Sequence, residues 1–241
     1  MQIKRNYLNR FSAQPFVIRQ GKQVFIDPPE GRVKSLHLNH PLESPWNIII
    51  KRIFDILFSS LVLVLVLSWV LPIIGIMVLI DSGWPVFFVQ DRHGKNSRLF
   101  KCIKFRTMVS NQECDTRQSS ANDERITKFG KIMRKYNLDE LPQFINVLAG
   151  SMSIVGPRPH MKVHTLEYER EIPYYRERLL VKPGITGLAQ ARGNHGPTPT
   201  LLDMKHRVDY DLFYIKRWNF FLDLKLVLGT FINIFKHSFH K

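Results

Sequence analysis

The feature that most constrains this chain is a run of 25 uncharged residues from Ile56 to Ile80, bounded by Asp55 and Asp81. Most of them are Leu, Val or Ile, and a helix needs about 20 predominantly apolar residues to cross a bilayer. A secretory signal peptide is excluded, because the run starts far from the N-terminus and lacks a small-residue cleavage site. A buried core helix is the competing interpretation, but a helix this long and apolar on every face seldom fits inside one small domain. The run therefore predicts a membrane-embedded helix.

The charges on both flanks bear on how that helix is placed. Residues 1–55 carry nine Lys and Arg against four Asp and Glu, and residues 81–241 carry 26 against 16. Cytoplasmic flanks are enriched in Lys and Arg, so a straight span would put one basic flank on the wrong side. Pro72 interrupts helical hydrogen bonding, and Ser68 before it can satisfy the freed carbonyls. We therefore expect a re-entrant helix-break-helix anchor that turns at Ser68 and Pro72, with a kinked span as the alternative.

Composition narrows the class of protein. The net charge of +15 over 241 residues indicates an anionic partner such as nucleic acid, an anionic membrane face or phosphorylated substrates. A hydrophobic content of 44% excludes a disordered chain, and two cysteines exclude a disulfide framework. We expect four parts: a polar N-terminal arm with little regular structure, the re-entrant anchor, a main domain and an amphipathic tail, over residues 1–45, 46–81, 82–217 and 218–241.

The main domain is predicted to be α+β and mostly helical, with a small β-hairpin. The apolar runs 85–90 and 99–105 indicate two short strands around a turn at His93 and Gly94. Helices are expected over residues 126–136, 138–149, 168–180, 201–216 and 218–239. Loops are expected over residues 107–123 and 182–199. The tail could lie in the plane of a membrane interface or pack on the protein's own core, and its pattern does not decide between them.

The densest group of ionisable residues runs from Arg134 to Pro142, where two cations precede the adjacent carboxylates Asp139 and Glu140. One interpretation is a helix start, with Asn137 as N-cap and Glu140 completing a capping box. The other is a reactive site. Carboxylate oxygens near a helix N-terminus can hold a divalent cation beside a phosphate group, and a carboxylate can also attack phosphorus. The local pattern leaves both interpretations open.

Further cations are candidates for binding phosphate. Arg158 lies between two prolines, which would present its planar guanidinium rigidly, although an ordinary turn with a solvated arginine fits equally well. On the second predicted strand alternate positions share a face, so Lys104 and Arg106 would point the same way. A solvated cationic face is the alternative there. His160 and His164 have the spacing of a metal pair, but no glutamate completes a zinc motif.

These residues resemble the bacterial sugar transferases, which are monotopic polyprenyl-phosphate sugar-1-phosphate transferases, also called small phosphoglycosyl transferases. The resemblance begins at Lys51 and extends into the tail. Its matching stretches follow in one order: KRIFD, KFRTM, RITKFG, LDELPQFINVLAG, MSIVGPRP, KPGITGLAQ and DLK. Two positions depart from the family pattern. Ser68 is followed by Trp69 rather than by proline, and Ser151 stands where many members have aspartate.

The resemblance implies an activity. The family transfers a sugar 1-phosphate from a UDP-sugar to undecaprenyl phosphate, giving undecaprenyl diphosphate sugar and UMP. This is the first membrane step in the synthesis of exopolysaccharide, O-antigen, capsule or glycoprotein glycans. In this sequence Asp139 would be the nucleophile and Glu140 its partner, both at a Mg²⁺ or Mn²⁺ ion, while Arg134 and Arg158 would bind phosphate.

The same resemblance implies partners and a location. The partners would be a UDP-sugar donor, the undecaprenyl phosphate acceptor and membrane lipids. Nucleic acid is not expected, and a homo-oligomer is left open. The location would be the bacterial inner membrane, with residues 82–217 forming a catalytic domain on the cytoplasmic face. Two other classes compete: an inactive membrane-anchored assembly or regulatory module, which the intact carboxylates and Arg158 disfavour, and a basic nucleic-acid-binding protein, which the apolar run disfavours.

Overall fold

The computed structural model describes residues 17–19, 22–24, 39–109, 123–193 and 200–239. The chain divides into two units, Met1–His37 and Leu38–Lys241. In the first unit, β1 (Val17–Arg19) pairs antiparallel with β2 (Lys22–Val24). The sequence predicts little regular structure over residues 1–45, and the described part of that range includes this short pair of strands, in which β-branched residues favour extended backbone.

The second unit begins with one long helix. It consists of α1 (Pro45–Val62), a π-helical segment (Leu63–Leu67) and α2 (Ser68–Ser82). Within the described part of the chain, this 38-residue helix is the one long and apolar enough to cross a membrane. The predicted apolar helix is therefore present, and it starts and ends close to the predicted bounds of the anchor.

The helix is irregular beside the predicted break. Pro72 has no N–H to donate to the carbonyl of Ser68, four residues earlier. The Ser68 hydroxyl donates to the carbonyl of Val64 at 2.7 Å, which satisfies an acceptor in the π-helical segment. π-Helical segments and prolines are the usual places where helices bend. The chain nevertheless stays helical through this region, with no loop between α1 and α2.

The predicted β-hairpin is confirmed. Strands β3 (Phe87–His93) and β4 (Leu99–Phe105) pair antiparallel over their whole length, from Phe87 opposite Phe105 to His93 opposite Leu99. The inward face of the hairpin includes Cys102, which is buried, whereas the outward face carries an exposed ion pair. Lys104 lies on the same inward face as Cys102, and this places its ammonium toward the interior of the domain.

The rest of this unit, where the structure describes it, is mostly helical and includes a further pair of strands. The helices are α3 (Lys128–Lys135), α4 (Gln143–Leu148), α5 (Lys162–Glu171), α6 (Leu188–Ala191), α7 (Leu201–Arg217) and α8 (Phe220–Phe239). Strand β5 (Ser153–Val155) pairs in parallel with β6 (Gly184–Thr186). The pair is tightly apposed: a Cβ on Gly184 would collide with the backbone of Gly156, so only glycine fits there.

Two predicted segments are wrong in detail. The helix predicted over residues 168–180 is two pieces, because Pro173 separates the end of α5 from a 3₁₀ helix over Tyr175–Leu180. The loop predicted over residues 182–199 contains β6, which pairs with the distant β5, and α6, which packs on α7 and α8. Residues 194–199 of that loop, and residues 110–122 of the loop predicted over 107–123, lie outside the described residues.

Two apolar clusters organise the unit. The larger joins β5, α7 and α8 and includes Met152, Val155, Tyr175, Val208 and Ile215. The smaller, here named the anchor cluster, consists of Ile74, Val78, Val86, Phe105 and Met133. Leu138 and Leu141 pack against the anchor cluster. The two leucines that flank the Asp-Glu pair are therefore in contact with a cluster that includes residues of the long helix.

A buried ion pair joins the start of the long helix to the C-terminal helices. Lys51 Nζ donates to Asp223 Oδ2 at 2.6 Å and to the Tyr214 hydroxyl at 3.1 Å. Asp223 also accepts from the Tyr214 hydroxyl at 2.8 Å and from Trp218 Nε1 at 3.0 Å. Both ionic side chains are almost inaccessible to solvent, and three donors satisfy the buried carboxylate.

Arg52 and Asp55, the other polar residues of the KRIFD stretch, also attach the start of the long helix to the domain. The Arg52 guanidinium donates to the carbonyls of Val147 and Leu148 at 2.6 and 2.7 Å, where the C-terminal end of α4 carries negative dipole charge. Asp55 Oδ1 accepts from the hydroxyl of Ser153 and from the following backbone N–H, both at 2.9 Å. Each polar residue of KRIFD therefore binds a different element of the domain.

Candidate active site

The Asp-Glu pair lies on a tight turn and does not begin a capped helix. Leu138–Glu140 forms one turn of 3₁₀ helix, and Asn137 before it has a left-handed backbone with φ of 56° and makes no side-chain cap. α4 starts only after Pro142. The capping-box interpretation is therefore wrong: the Asn137 side chain does not cap, and the Glu140 side chain is bonded elsewhere.

Glu140 is held by two cations. Arg158 binds it with two prongs, Nη1 to Oε2 at 2.8 Å and Nη2 to Oε1 at 2.5 Å, while Lys104 Nζ donates to Oε1 at 2.6 Å. Burial alone would raise the pKa of Glu140, but the charges and hydrogen bonds of Arg158 and Lys104 hold that pKa far below its ordinary value. Glu140 is thus a permanently ionised group that fixes two cations, and both of its oxygens are occupied.

Asp139 has a different environment from its neighbour. Among the described residues, its carboxylate has no hydrogen-bond or ion-pair partner. Burial raises the pKa of Asp139 above its ordinary value, and the charge of Glu140 adds to that effect, although Lys104 opposes it. A carboxylate that is partly buried, uncommitted and close to cations is well placed to react with an electrophile or to bind a cation.

Contacts of Thr107 with the start and end of α3 bring Arg134 close enough to Asp139 for their charges to interact. Its Nε donates to the Thr107 hydroxyl at 2.8 Å, and the Thr107 carbonyl accepts from the N–H of Thr127 at 3.1 Å. A Cβ on Gly130 would collide with that same carbonyl, so α3 approaches Thr107 only because Gly130 lacks a side chain. Burial lowers the pKa of Arg134, and the charge of Asp139 is the largest influence opposing that shift.

Arg106 is committed to a different part of the fold. Its guanidinium donates to the carbonyls of Ser82 and Trp84 at 2.7 and 2.9 Å and also to the carbonyl of Gly83. These acceptors lie at and just beyond the C-terminal end of α2, where a buried cation stabilises free carbonyls. None of the acceptors belongs to the Asp-Glu pair. The structure thus gathers Asp139, Glu140, Lys104, Arg134 and Arg158, and it assigns Arg106 to the end of the long helix.

The turn that carries Arg158 is fixed by three separate elements. The Pro157 carbonyl accepts from the N–H of Gly184 at 3.0 Å. The Arg158 carbonyl accepts from Arg178 Nη2 at 2.7 Å, and the Pro159 carbonyl accepts from Arg92 Nη1 at 2.9 Å. With proline on both sides, the backbone of Arg158 has little freedom to move. The rigid presentation predicted from the sequence is therefore found.

The residues behind this turn were not predicted from the sequence. Arg178 and Asp211 form an ion pair with side chains only 1% exposed, and Arg207 lies one helical turn before Asp211 on α7. Burial lowers the pKa of Arg207 to about 10, and the charge of Arg158 is the next largest cause. The i, i+4 spacing of Arg207 and Asp211 was the one local signal in the sequence, and it is equally typical of a solvated helix face.

The adjacent carboxylates Asp139 and Glu140 fit a divalent cation in part. Asp139 is free to give an oxygen, whereas Glu140 Oε1 already accepts from both Lys104 and Arg158 and Oε2 accepts one hydrogen bond from Arg158. Among the described residues, no group of three or more His, Cys, Asp or Glu is placed to hold a metal. Mg²⁺ is commonly held by one or two carboxylates plus substrate phosphates, so Asp139 would suffice for such a site, and on Glu140 only Oε2 has an acceptor position left for a cation.

Comparisons with known proteins identify a family and several relatives of the chain. The profile of the family described as "Bacterial sugar transferase" matches residues 46–237. The chain is 46% identical to a UDP-glucose:undecaprenyl-phosphate glucose-1-phosphate transferase of Klebsiella pneumoniae over 81% of this chain and 41% of that protein. It is 49% identical to the Xanthomonas campestris pv. campestris protein of the same name, over 67% of this chain and 34% of that protein.

A shorter relative is covered almost completely. The exopolysaccharide production protein PSS of Rhizobium leguminosarum bv. phaseoli is 42% identical over 78% of this chain and 96% of its own length. By contrast, this chain spans less than half the length of the Klebsiella and Xanthomonas relatives. The match from residue 46 to residue 237 covers the long helix, the hairpin and every cation around Asp139, and on this basis the chain belongs to the bacterial sugar transferase family.

Proposed function

We propose that this chain transfers a sugar 1-phosphate from a UDP-sugar to undecaprenyl phosphate, giving undecaprenyl diphosphate sugar and UMP. The reaction would be the first membrane step in the synthesis of a surface polysaccharide or protein glycan. The observation that carries the proposal is the contrast within the Asp-Glu pair: Glu140 is saturated by two cations, whereas Asp139 is uncommitted. The names of the relatives point to the same donor and acceptor.

The uncommitted carboxylate suits a two-step transfer. An oxygen of Asp139 attacks the phosphorus that bears the sugar, and the bond to the bridging oxygen breaks, so UMP leaves with the electron pair. Asp139 then carries the sugar phosphate as an acyl phosphate. An oxygen of undecaprenyl phosphate attacks the same phosphorus, and the Asp139 carboxylate is the second leaving group. The acceptor thereby gains the sugar phosphate and Asp139 is regenerated.

Cations make this attack feasible, because a carboxylate and a diphosphate repel each other. Arg158, fixed on its turn, and Arg134 can bind the donor's phosphate oxygens as charge develops on the leaving group. Lys104 stays near both carboxylates through its bond to Glu140. Mg²⁺ or Mn²⁺, held by Asp139 and the donor's phosphates, would supply further neutralisation of charge when bound.

A direct assay tests the proposed reaction. The purified full chain in detergent would be given undecaprenyl phosphate and a panel of UDP-sugars, and UMP release would be measured. We expect repeated turnover with release of UMP from at least one UDP-sugar only when the acceptor is present. Without the acceptor, release should stop at about one UMP per enzyme molecule, because Asp139 then stays loaded with the sugar phosphate; the Asp139→Asn variant is the blank. No UMP from any UDP-hexose or UDP-N-acetylhexosamine would reject the transfer and favour an inactive scaffold.

Arg158→Lys is expected to reduce kcat/KM for the UDP-sugar by about 100-fold. Lysine keeps the charge, but it loses the planar fork that binds two oxygens together, both on Glu140 and on phosphate. The measurement is steady-state UMP release, with Arg98→Lys on the exposed hairpin turn as the matched control. Normal kinetics for Arg158→Lys would show that two-pronged binding by this residue is not required.

We also propose that the long helix is re-entrant and turns in its π-helical segment beside Ser68 and Pro72. Leu67 is 0% exposed, yet it belongs to neither of the apolar clusters of the domain. Its neighbours Val64 and Leu65 are exposed. A buried residue beside exposed neighbours is what the inner side of a bend in the helix would produce.

Contacts on either side of the segment support the same turn. The Phe58 ring stacks on Phe144 with centroids 6.5 Å apart, while Ile74 belongs to the anchor cluster on which Leu141 packs. A straight helix would separate Phe58 from Ile74 by about 24 Å. Phe144 and Leu141 are joined by a backbone hydrogen bond of 3.2 Å, so they are neighbours. A bend in the long helix would bring one arm to Phe144 and the other to Leu141, whereas a straight helix would hold the two arms apart.

The direction of α4 favours a reactive group at the membrane end of the domain. Arg52 contacts the end of α4, whereas Phe58 contacts Phe144 at its start, so α4 runs antiparallel to α1. Because the two helices are antiparallel, the start of α4, near Asp139, lies beside the part of α1 that leads into the uncharged residues. A site placed there would meet an acceptor whose chain lies in the bilayer. We place it on the cytoplasmic face of the inner membrane, where UDP-sugars are made.

The re-entrant arrangement predicts that residue 35 and the catalytic domain lie on the same side of the membrane. Single cysteines at Ser35 and at the exposed Arg98 would be introduced into a Cys102→Ser, Cys114→Ser background. Intact spheroplasts would be treated with an impermeant thiol reagent. We expect both positions to be protected until lysis. Labelling of residue 35 alone before lysis would mean that the helix spans the bilayer.

A further inference from the structure

Arg178 links α7 to the backbone of Arg158. Its Nε and Nη2 donate to Asp211 Oδ2 at 2.9 and 2.7 Å, and Nη2 also donates to the carbonyl of Arg158 at 2.7 Å. Both members of the ion pair are only 1% exposed at their side chains. A buried bridge of this kind transmits the position of one element to another, because neither charge can leave its partner without a large desolvation cost.

The remaining nitrogen of Arg178 is also committed. Nη1 lies 3.1 Å from His160 Nδ1, and the Tyr175 hydroxyl lies 2.5 Å from the same atom. Burial, and after it the charge of Arg178, lower the pKa of His160 well below its ordinary value, so the imidazole is neutral and accepts at Nδ1. Nη1 also lies 3.5 Å from the Tyr175 hydroxyl, so each of the five N–H groups of Arg178 faces a partner inside the protein and none is left over to bind a substrate.

We infer that Arg178 and Asp211 are positioning residues for the transfer: they set the place of the Arg158 guanidinium, and hence how tightly the UDP-sugar diphosphate is held. This inference rests on the proposed function. The Arg158 fork reaches Glu140 on one side, while its own carbonyl is fixed by Arg178 on the other. A displacement of about 1 Å in such a group can cost about 100-fold in rate.

Arg178→Lys and Asp211→Asn test the inference. Lysine can still meet Asp211, but a single ammonium cannot also hold the Arg158 carbonyl and His160 in the same geometry. We expect kcat/KM for the UDP-sugar to fall by roughly 10-fold to 100-fold, with KM for undecaprenyl phosphate unchanged. UDP affinity, measured by isothermal titration calorimetry on the full chain in detergent, should weaken in parallel.

The matched control is Asp223→Asn, which also removes a buried carboxylate that is hydrogen-bonded to α7, through Tyr214. Asp223 is paired with Lys51 at the start of the long helix and makes no described contact with the Arg158 turn. Asp223→Asn should lower the unfolding temperature but leave UDP affinity and KM for the donor as in the wild type. Weaker UDP binding in Arg178→Lys alone is then an effect on the site.

A double-mutant cycle decides whether Arg178 acts through Arg158. If it does, Arg158→Lys combined with Arg178→Lys should be no worse than Arg158→Lys alone, because the fork is already lost. Additive losses would overturn the inference, and so would an Arg178→Lys protein that changes only in unfolding temperature. Failure of the proposed function would give a different result, because the wild type would then release no UMP. The calorimetric comparison of UDP binding by the wild type and the Arg178→Lys variant does not depend on UMP release and could still be made.

Discussion

Replacing Asp139 by asparagine is expected to abolish sugar-phosphate transfer, by more than about 1000-fold, in a protein that stays folded. An amide has no anionic oxygen to form the acyl phosphate, and the adjacent carboxylate, Glu140, is already bound to Arg158 and Lys104 through both of its oxygens. The measurement is UMP release beside thermal unfolding of the same detergent preparation. An Asp139→Asn protein that keeps more than about one hundredth of the activity would remove this residue from the nucleophilic role.

The same substitution has a predicted effect on stability with a defined sign. The pKa of Asp139 is raised by burial and by Glu140, so its ionised form is less favourable in the folded protein than in the unfolded chain. Above both pKa values, that charge lowers the free energy of unfolding. Asparagine removes the charge, and the unfolding temperature at neutral pH should be unchanged or higher. The difference should disappear as the pH falls toward the ordinary range of an aspartate, where the wild type is protonated as well.

Glu140→Gln is the variant to compare with Asp139→Asn. It keeps the shape of the side chain but leaves Arg158 and Lys104 without the carboxylate that pairs them. We expect this variant to lose stability together with activity, because removing one partner of a buried pair leaves uncompensated charge. Loss of activity without loss of stability at residue 139, and loss of both at residue 140, would separate a reactive carboxylate from a structural one. Equal unfolding temperatures for the two variants would contradict this division.

Local sequence patterns predicted the elements whose form depends on their own residues. The hairpin from Phe87 to Phe105 was predictable from two apolar runs and a turn, and the helices α7 and α8 from length and periodicity. The pattern failed where distant contacts decide the backbone. β6 forms because its glycine allows close approach to the segment around Gly156, which lies far away in sequence. Nothing within residues 182–199 reports that approach.

The sequence predicted which residues form the candidate site, but it did not predict how they are paired. Asp139, Glu140 and Arg158 were named from the sequence together with the resemblance, and the structure brings them together. The sequence could not show that Glu140 is saturated, since its partners lie on β4 and on the turn after β5. It also could not connect Arg178 with Asp211, because 33 residues separate them with no periodic relation.

Replacing Lys51 by methionine is expected to lower the free energy of unfolding by about 3–5 kcal/mol. Methionine has a similar length and fills the site, so the main change is that Asp223 becomes an unpaired buried charge. The Lys51 and Asp223 side chains are 10% and 0% exposed. A loss of this size is a large fraction of the total stability of about 5–15 kcal/mol that is typical of a folded protein. The measurement is denaturant unfolding of the full chain in detergent.

Two further variants show whether the charge itself is responsible. Lys101→Met breaks the exposed pair with Asp91, whose side chains are 71% and 45% exposed, and it should cost less than about 1 kcal/mol. Lys51→Met combined with Asp223→Asn should be more stable than Lys51→Met alone, because asparagine still accepts from Tyr214 or Trp218 without burying a charge. If Lys51→Met were no less stable than Lys101→Met, the ion pair would not be what fastens the long helix to the domain.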